Sequence, residues 1–407
     1  MIKPFKHYIM KNVSKTALVF SLLAGLIFIL SYCRQDDQII GVDEPTLGAN
    51  VLLAQKVTTA PTIDGTIDGV WESSAKLEFE TVVPDPTGDA FRGYVGNVIP
   101  FVRLRAAYDA NSIYFLAEWD DPTESLVRQP WYFDPTAKLW KQESGAPTFT
   151  TPTRAAFYED KIAMLWNINN SVSGWNSATC YKSCHTSLSA ADGFARHYTN
   201  NSSERIDMWH WKSVRGGVNA GQFDDQYQDN TYPNGRKSDA GASAYTDNKQ
   251  NLVVTGSSPA VTVAVPKYVI PGRTKYYWIL GAEIDNGTAK LITSVDANGV
   301  LTLSDGTIID PNTDVAYQRA GAGLGDKVIA GINVSSYDGS RGDITCKSTF
   351  TGTGWILEFK RALKTGDTEK KDVDFSSLDD QYFGFAIFEN AQIAHGLKPN
   401  LLLKFQK

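Results

Sequence analysis

The stretch Phe101–Trp119 reads FVRLRAAYDANSIYFLAEW, and its alternation of apolar and polar residues decides the fold class. Every second residue from Val102 to Tyr108 is apolar, and so is every second residue from Ile113 to Trp119. A period of two is typical of strands, and the short polar link Asp109–Asn111 is typical of a tight turn. We therefore predict an antiparallel hairpin here.

Other segments repeat this pattern, whereas no long stretch shows strong helical periodicity. Further strands are predicted at Lys161–Ile168, Tyr276–Ile284, Gly354–Leu363 and Tyr382–Asn390. Short strands separated by turn-forming residues favour an all-β fold. We predict an antiparallel β-sandwich with long loop insertions and a few short helices.

Composition and charge exclude several classes of protein. The 407 residues are 42% hydrophobic and 21% charged, which is an ordinary globular composition and excludes a disordered chain or a coiled coil. Lys and Arg number 39 against 45 Asp and Glu, so the formal net charge is −6. A chain with this charge is a poor partner for nucleic acid.

The first 32 residues are typical of an export signal. Lysines up to Lys15 precede the uncharged run Ala17–Leu30, which is too short to span a bilayer comfortably. The run ends in Leu-Ser-Tyr-Cys33, which resembles a bacterial lipobox and predicts lipidation of Cys33. Tyr32 departs from that pattern, because small residues are usual before the cut. An uncleaved anchor, or a plain leader with an incidental cysteine, stays open.

These features predict the domain organisation. Residues 1–32 form a lipoprotein-type signal peptide, 33–50 a flexible tether, and 51–407 a haem-binding β-sandwich domain. The folded part is expected outside the cytoplasm, held to a membrane by the lipid anchor. The periplasmic face and the outer membrane or cell surface are both open.

The region 216–258 differs from the rest of the chain, because it is crowded with Asp, Asn, Gly, Ser and Gln. We predict a polar insertion that runs over the surface as a long loop. The oxygens of Asp224, Asp225, Asp229 and Asp239 suit a calcium ion. No EF-hand spacing is present, which favours a solvated acidic loop over a calcium site.

The most specific motif is Cys180-Tyr-Lys-Ser-Cys184-His185. Two cysteines followed by histidine suit covalent attachment of one haem c, with His185 as an iron ligand. The common form of the motif has two residues between the cysteines, and this one has three. A local disulfide, or a zinc site that uses His185, is the alternative.

A second iron ligand must come from elsewhere in the chain. The candidates are His197, His210, His395, Met164, Met208 and a lysine. In the segment Asp207–Lys212 a period of two puts Met208 and His210 on one face, with both tryptophans on the other. His395 follows a predicted strand, where ligands are often found.

The order of the motifs resembles a known family. Residues 61–72, PTIDGTIDGVWE, resemble the opening of carbohydrate-binding family 9-type sandwiches and of their haem-binding relatives. These relatives are the ethylbenzene dehydrogenase gamma-subunit-like family, also described as the cytochrome c-552/DMSO reductase-like haem-binding domain. Its other landmarks here are residues 108–121, 180–185, 207–212, 354–363 and 385–395.

The resemblance implies a β-sandwich that holds one haem between its loops for electron transfer. In the dehydrogenase subunits the haem is b-type with methionine and lysine ligands, and members with the cysteine motif bind it covalently. His185 matches the first ligand region, and His395–Lys398 matches the second. The resemblance thus implies cofactor contacts by Cys180, Cys184, His185, His395, His210 and Met208, with the iron held by His185 and His395.

Two functions follow from these sequence features. The first is a membrane-anchored, extracytoplasmic c-type cytochrome that meets redox partner proteins, either free-standing or as the haem subunit of a larger oxidoreductase. Such a protein is not an enzyme by itself, and no Ser-His-Asp arrangement or zinc-hydrolase motif stands out. The alternative is a surface lipoprotein whose β-sandwich binds carbohydrate, since ten tryptophans suit aromatic platforms.

Overall fold

The computed structural model describes residues 48–83, 101–143, 157–184, 197–321 and 323–407. Strands dominate it, as the alternating pattern predicts, and the all-β prediction is confirmed. The strands are, in chain order, β1 (Val51–Lys56), β2 (Leu77–Phe79), β3 (Val102–Tyr108), β4 (Ser112–Asp120), β5 (Trp131–Asp134), β6 (Leu139–Gln142), β7 (Lys161–Asn167), β8 (Ile206–Lys212), β9 (Asp224–Gln228), β10 (Arg236–Ser238), β11 (Tyr245–Asp247), β12 (Gln250–Val253), β13 (Thr262–Val265), β14 (Tyr268–Val269), β15 (Ile279–Leu280), β16 (Lys290–Val295), β17 (Leu301–Leu303), β18 (Ile308–Ile309), β19 (Ile332–Val334), β20 (Thr345–Phe350), β21 (Gly354–Ala362), β22 (Gln381–Phe388) and β23 (Gly396–Phe405).

The helices of the described residues are short. They are α1 (Gly69–Ser73), α2 (Trp175–Ala178), α3 (Val218–Ala220) and α4 (Gly281–Asp285). Single helical turns also occur at Ile168–Asn170, Thr179–Lys182, Ser213–Gly217, Val315–Tyr317 and Gly339–Gly342. Within the part of the chain that the structure describes, no helix is both long and apolar enough to cross a membrane.

One sheet of twelve strands forms the main body. Its order is β10-β9-β8-β7-β22-β23-β1-β3-β4-β21-β20, and β2 pairs with β3. The hairpin prediction is confirmed, because β3 and β4 pair antiparallel with Val102 opposite Trp119. Asp109 closes the turn, accepting hydrogen bonds from the backbone N–H groups of Asn111 (2.7 Å) and Ser112 (2.9 Å). Strand β1 is an exception to antiparallel pairing, since it runs parallel to both its neighbours.

The large sheet curls so that its two halves face each other. Five strands separate β4 from β8 in the sheet order. Nevertheless the rings of Trp119 and Trp211 lie 5.8 Å apart, as do those of Phe115 and Trp209. The aromatic face of each half therefore fills one shared core, as in a sandwich.

A second, smaller apolar core lies outside this sandwich. Trp131 and Trp140 of the hairpin β5–β6 pack there against Ile292 and Leu301 of β16 and β17. The four strands β14, β16, β17 and β18 form one sheet over this core, and β12 and β13 form a separate pair. From Gly48 onward the described residues cluster as one compact unit.

Two sequence predictions differ from the structure. Residues 276–284 do not form one strand, because only Ile279–Leu280 is extended and α4 follows at once. Glu283 accepts a hydrogen bond from the backbone N–H of Leu280 (2.8 Å), which favours the helical turn there. The region 216–258 is not one long loop, since it contains the four short strands β9 to β12.

Candidate functional site

Three neighbouring strands carry a hollow on the face that points away from the main core. In β7, Ala163 lies opposite His210 of β8 on one side and Ala386 of β22 on the other. Two residues further along β7, Leu165 lies opposite Gly384. Because small residues lie side by side here, the sheet leaves space above it, whereas large aromatic side chains fill its other face.

This space is a cavity of about 810 Å³, its open mouth included, which we call the cysteine cavity. Its walls are completed by Cys180, Cys184, His197, Met208, Arg236, Phe388, Gln392, Ile393, His395, Leu397 and Lys161. Most of the lining is apolar, with a few polar groups at defined positions. Such a lining is typical of pockets that bind small molecules and cofactors.

The two cysteines lie on one side of a tight turn. The backbone N–H of Cys184 donates to the carbonyl of Cys180 (2.9 Å), so residues four apart face the same way. Both side chains line the cysteine cavity. A Cβ added at Gly384 would lie 3.3 Å from the Cys180 Sγ, which shows how closely the turn covers the sheet.

Both sulfurs are unpaired thiols, so the local disulfide is not formed in this structure. Burial raises the pKa of the Cys180 thiol to about 12, and burial also raises the pKa of Cys184. These thiols are therefore protonated at neutral pH. Among the described residues, no cluster of potential metal ligands includes either cysteine, which gives the zinc alternative no support there.

His210 is buried and presents its Nε2 atom without a hydrogen-bond partner among the described residues. Its Nδ1 lies 3.1 Å from Nη2 of Arg236, and since a guanidinium only donates, Nδ1 must accept. Burial, together with the positive charges of Lys212, Arg236 and Lys161, lowers the pKa of His210 well below its usual value. The neutral ring therefore carries its proton on Nε2.

His395 has the opposite arrangement. Its Nδ1 lies 2.7 Å from the backbone carbonyl of Ile393, so Nδ1 carries the proton and donates it to that oxygen. In the neutral ring Nε2 then holds the lone pair, which is the form that metal-binding histidines adopt. The ring of Phe388 packs against both histidines, at 4.5 Å from His395 and 5.9 Å from His210.

Two side chains that can carry a positive charge, Lys161 and Arg236, open onto the cysteine cavity. Burial, with the charges of Arg215, Arg236 and Lys212, lowers the pKa of Lys161 well below its usual value, so a bound anion would favour its charged form. Lys161 is 2% exposed, donates to the carbonyl of Gln392 (2.9 Å) and lies over the Phe388 ring. Arg236 donates to the side-chain oxygen of Gln226 (3.0 Å) and to His210. Within the described residues, neither cation pairs with a carboxylate, unlike the nearby Lys212, which pairs with Asp224.

These features fit haem, the cofactor that the sequence predicts. Ala163, Gly384 and Ala386 provide an apolar floor to the hollow, and the two thiols line the same cavity. Lys161 and Arg236 are suited to a ligand that carries carboxylates. The unpartnered Nε2 of His210 is a buried donor that a bound ligand would satisfy.

Two of the sequence candidates in the described residues do not line this cavity. Met164 faces the main core, and Lys398 is absent from the lining. His185 and Cys33 lie outside the described residues. The alternation predicted for Asp207–Lys212 is observed, because Met208 and His210 line the cavity while both tryptophans pack in the core.

Lys161, Arg236 and the small residues of the floor were not predicted from the sequence. The sequences of β7 and β22 do contain an indication of the floor. Alternate positions are Lys161, Ala163 and Leu165 in β7, and Gly384, Ala386 and Phe388 in β22. Small residues at alternate positions of adjacent strands indicate a place where something other than protein packs on the sheet.

The four aspartates considered as calcium ligands separate into two groups. Asp224 forms ion pairs with Lys212 and Arg341, and Asp229 forms one with Lys237. These two carboxylates are already neutralised by the protein. Asp225 and Asp239 are buried elsewhere, among other aspartates.

Similarity searches found solved structures of carbohydrate-binding modules. A family 9 carbohydrate-binding module from Caldicellulosiruptor kristjanssonii in complex with glucose is 10% identical, with 88% of this chain and 95% of that chain covered and a TM-score of 0.29. The same type of module in complex with cellotriose is 10% identical over 88% and 93% of the two chains, with a TM-score of 0.28. No curated protein matches the chain.

A family model described as Ethylbenzene dehydrogenase matches residues 68–398. The matched range runs from α1 into β23 and contains both described cysteines of the motif and every residue that lines the cysteine cavity. Because the model matches well over half of the sequence, the chain belongs to the ethylbenzene dehydrogenase family.

Proposed function

We propose that the protein is a c-type cytochrome that carries one covalently bound haem for electron transfer. In this proposal Cys180 and Cys184 attach the haem, and His185 and His395 are the iron ligands. The chain would be a relative of the gamma subunits of ethylbenzene dehydrogenase, held outside the cytoplasm by a lipid on Cys33. When bound, haem supplies one-electron exchange.

One observation carries the proposal. The two thiols of the motif open onto the same cavity as His395, although more than 200 residues separate them in the sequence. The tautomer of His395 supports its role as a ligand, since its Nδ1–H is engaged by the Ile393 carbonyl.

The other residues of the cavity have roles that follow from their chemistry. Lys161 and Arg236 would neutralise the carboxylates of the ligand, and the Nε2–H of His210 would donate a hydrogen bond to it. Phe388, Ile393 and Leu397 line the hollow and would shield a bound ligand from water. Ligand identity and this apolar surrounding are the protein's means of setting a reduction potential.

Partners follow from the same proposal. Electron transfer needs only brief contacts with redox proteins, and an acidic chain is expected to meet basic patches on them. No catalytic activity of its own is proposed.

The test measures the mass of the purified protein, its absorption spectrum and whether its colour survives extraction. The full chain, expressed with a haem-attachment system, should carry the mass of one haem, show a Soret band and keep its colour after acid-acetone extraction. A double substitution of Cys180 and Cys184 by Ser should lose all three signals. The matched control Cys346→Ala, which removes a buried thiol of the main core, should keep them.

Carbohydrate binding is the alternative function. None of the ten tryptophans, all of which lie in the described ranges, is exposed, so tryptophan platforms for sugar rings are not visible on the surface. Colourless protein with no added haem mass that binds cellulose or another polysaccharide would reverse our ranking of the two functions.

A further inference from the structure

Five aspartates gather on the face of β8 that points away from the cysteine cavity. We call them the aspartate cluster, and its members are Asp207, Asp225, Asp239, Asp343 and Asp372. One carboxylate oxygen each of Asp207, Asp225 and Asp372 lies within 4.8 Å of the others. These three residues are 0%, 0% and 7% exposed, so water cannot solvate their charges.

The fold brings these residues together from five places in the chain. Trp209 of β8 lies opposite Asp225 of β9, so Asp207 and Asp225 point to the same face of the sheet. Asp239 follows β10, and its N–H donates to the carbonyl of Asp225 (3.2 Å). Asp343 follows the turn Gly339–Gly342, and Asp372 lies before β22.

Within the described ranges, Arg361 is the buried cation that contacts this cluster, and Lys371 lies near Asp239 at the surface. Arg361 pairs with Oδ2 of Asp207 at 2.9 Å and also donates to the carbonyl of Val373. One guanidinium cannot neutralise five carboxylates. Burial, with the charges of Asp372 and Asp207, raises the pKa of Asp239 to about 9, as expected where a counter-charge is lacking.

Several oxygens of the cluster also lack hydrogen bonds. As ionised groups, Oδ1 of Asp207, Oδ2 of Asp225, Oδ1 of Asp372 and both oxygens of Asp239 have no donor among the described residues. A proton on Asp239 would bond it to Asp372, and Asp343 is a hydrogen-bond neighbour of Asp225, but Oδ1 of Asp207 has no such neighbour among the described residues. Asp239 is only 4% exposed. Buried carboxylates without donors are costly, so the cluster must hold either protons or a cation, and the unpartnered Oδ1 of Asp207 favours a cation.

We propose that the aspartate cluster is a binding site for a calcium ion. The donors are all hard carboxylate oxygens, which suit Ca²⁺ and exclude a preference for zinc. Ca²⁺ accepts six to eight oxygens in flexible geometry, as this set with added water would provide. A surface cavity of about 830 Å³ lined by Asp343 and Thr365 gives the ion a route, since Thr365 donates to Asp372.

The ion would tie the segment before β22 to strands β8 and β9. Asp207 is the neighbour of Met208, whose side chain lines the cysteine cavity on the other face of β8. Calcium is therefore expected to stabilise the floor of that cavity. The proposal does not depend on haem, because it rests on the unpartnered oxygens alone.

The first test uses the full chain as purified. After dialysis against EDTA, addition of Ca²⁺ should raise the melting temperature by about 5 °C. Tb³⁺ should bind in its place and be sensitised by Trp209, whose indole N–H donates to Asp207 (3.0 Å). Absence of both effects would overturn the proposal and leave a cluster of neutral carboxyl groups.

Substitutions test the location of the site. Asp239→Asn should weaken Ca²⁺ binding at least tenfold. Its melting temperature should be no lower than that of the metal-free wild type, because the amide replaces a carboxyl group that is neutral in the metal-free protein. The matched control Asp229→Asn removes a carboxylate that already pairs with Lys237, and it should keep the Ca²⁺ response. If Asp239→Asn binds Ca²⁺ like wild type while Asp229→Asn loses binding, the assigned cluster is wrong.

Discussion

His210 and His395 differ in which ring nitrogen carries the proton, although both face the same cavity. Arg236 donates to Nδ1 of His210, whereas Nδ1 of His395 donates to a backbone carbonyl. A lone pair on Nε2 can bind iron, and an N–H at that position can only donate a hydrogen bond. The hydrogen-bond partner of Nδ1 therefore determines which of the two histidines can bind a metal through Nε2.

We predict that His395→Ala changes the spectrum of the reduced, haem-loaded protein from a six-coordinate to a five-coordinate form. His210→Gln should leave the coordination unchanged, since a glutamine amide replaces the donor. Absorption and magnetic circular dichroism spectra would show the difference. If His210→Gln loses the six-coordinate signal while His395→Ala keeps it, the two roles must be exchanged.

Glu389 is a buried acid outside both proposed sites, and it makes stability depend on pH. It is 2% exposed and accepts a hydrogen bond from Thr123 Oγ1 (2.9 Å). Burial, with the nearby Asp121, raises the pKa of Glu389 to about 7. The folded state thus favours the neutral acid, and this stabilisation is complete below about pH 4.3 and lost as pH rises through 7.

Glu389→Gln should remove that pH dependence. Relative to wild type, the variant should gain up to about 3 kcal/mol in free energy of unfolding between pH 5 and pH 8, measured by urea unfolding. Exposed Glu124→Gln is the control and should follow wild type at both pH values. An equal slope in wild type and Glu389→Gln would show that this carboxyl group does not titrate as described.

At the scale of elements, the cysteine cavity depends on small residues in β7 and β22 and on the turn Thr179–Lys182 above them. The turn lies close to the sheet at Gly384. A Cβ atom placed on this glycine would be 3.3 Å from the Cys180 sulfur. A larger side chain there must displace the turn or fill the hollow.

We predict that Gly384→Val lowers haem attachment at least tenfold while costing about 1–3 kcal/mol in free energy of unfolding. Gly69→Ala is the control, because no atom lies within 4 Å of its projected Cβ. Haem attachment is measured by the ratio of Soret to protein absorbance. Full attachment in a folded Gly384→Val variant would mean that the ligand does not occupy the floor.

At the scale of the whole molecule, contacts across the curled sheet hold the sandwich closed. Trp119 of β4 packs against Trp211 of β8 at 5.8 Å and against Trp355 of β21 at 6.2 Å. Trp119→Ala should therefore lower the free energy of unfolding by about 3–5 kcal/mol in urea. Exposed Val315→Ala should change it by less than about 0.5 kcal/mol. Similar losses in both variants would contradict a core role for Trp119.

The location in the cell is also a property of the whole chain. We propose that a lipid on Cys33 anchors the protein, and Cys33→Ser should release it from membranes into the soluble fraction. Fractionation followed by immunoblotting measures this release. A Cys33→Ser protein that stays in the membrane would indicate an uncleaved hydrophobic anchor instead.

Much of the fold could be predicted from the sequence because alternation is a local property. The hairpin β3–β4 and the strands β7, β21 and β22 begin and end within two residues of the predicted positions. Prediction failed at residues 276–284, where a helical turn interrupts an apolar run, and in the region 216–258. Many polar side chains of that region are buried in ion pairs and in the aspartate cluster rather than solvated.

The candidate site was predicted only in part, because the sequence shows reactive side chains but not which small residues folding places beside them. Cys180, Cys184, Met208, His210 and His395 carry reactive groups that stand out in any sequence. Ala163, Gly384 and Ala386 do not, and only the register of three strands makes them a floor.

The sequence by itself determined the strand pattern, the acidic charge and the presence of a cysteine motif. Only the tertiary structure decided which aspartates have counter-ions, which histidine donates through Nε2 and where the sheet is hollow. These properties depend on residues that are far apart in the chain, because hydrogen bonds and buried charges are completed by neighbours that folding brings together.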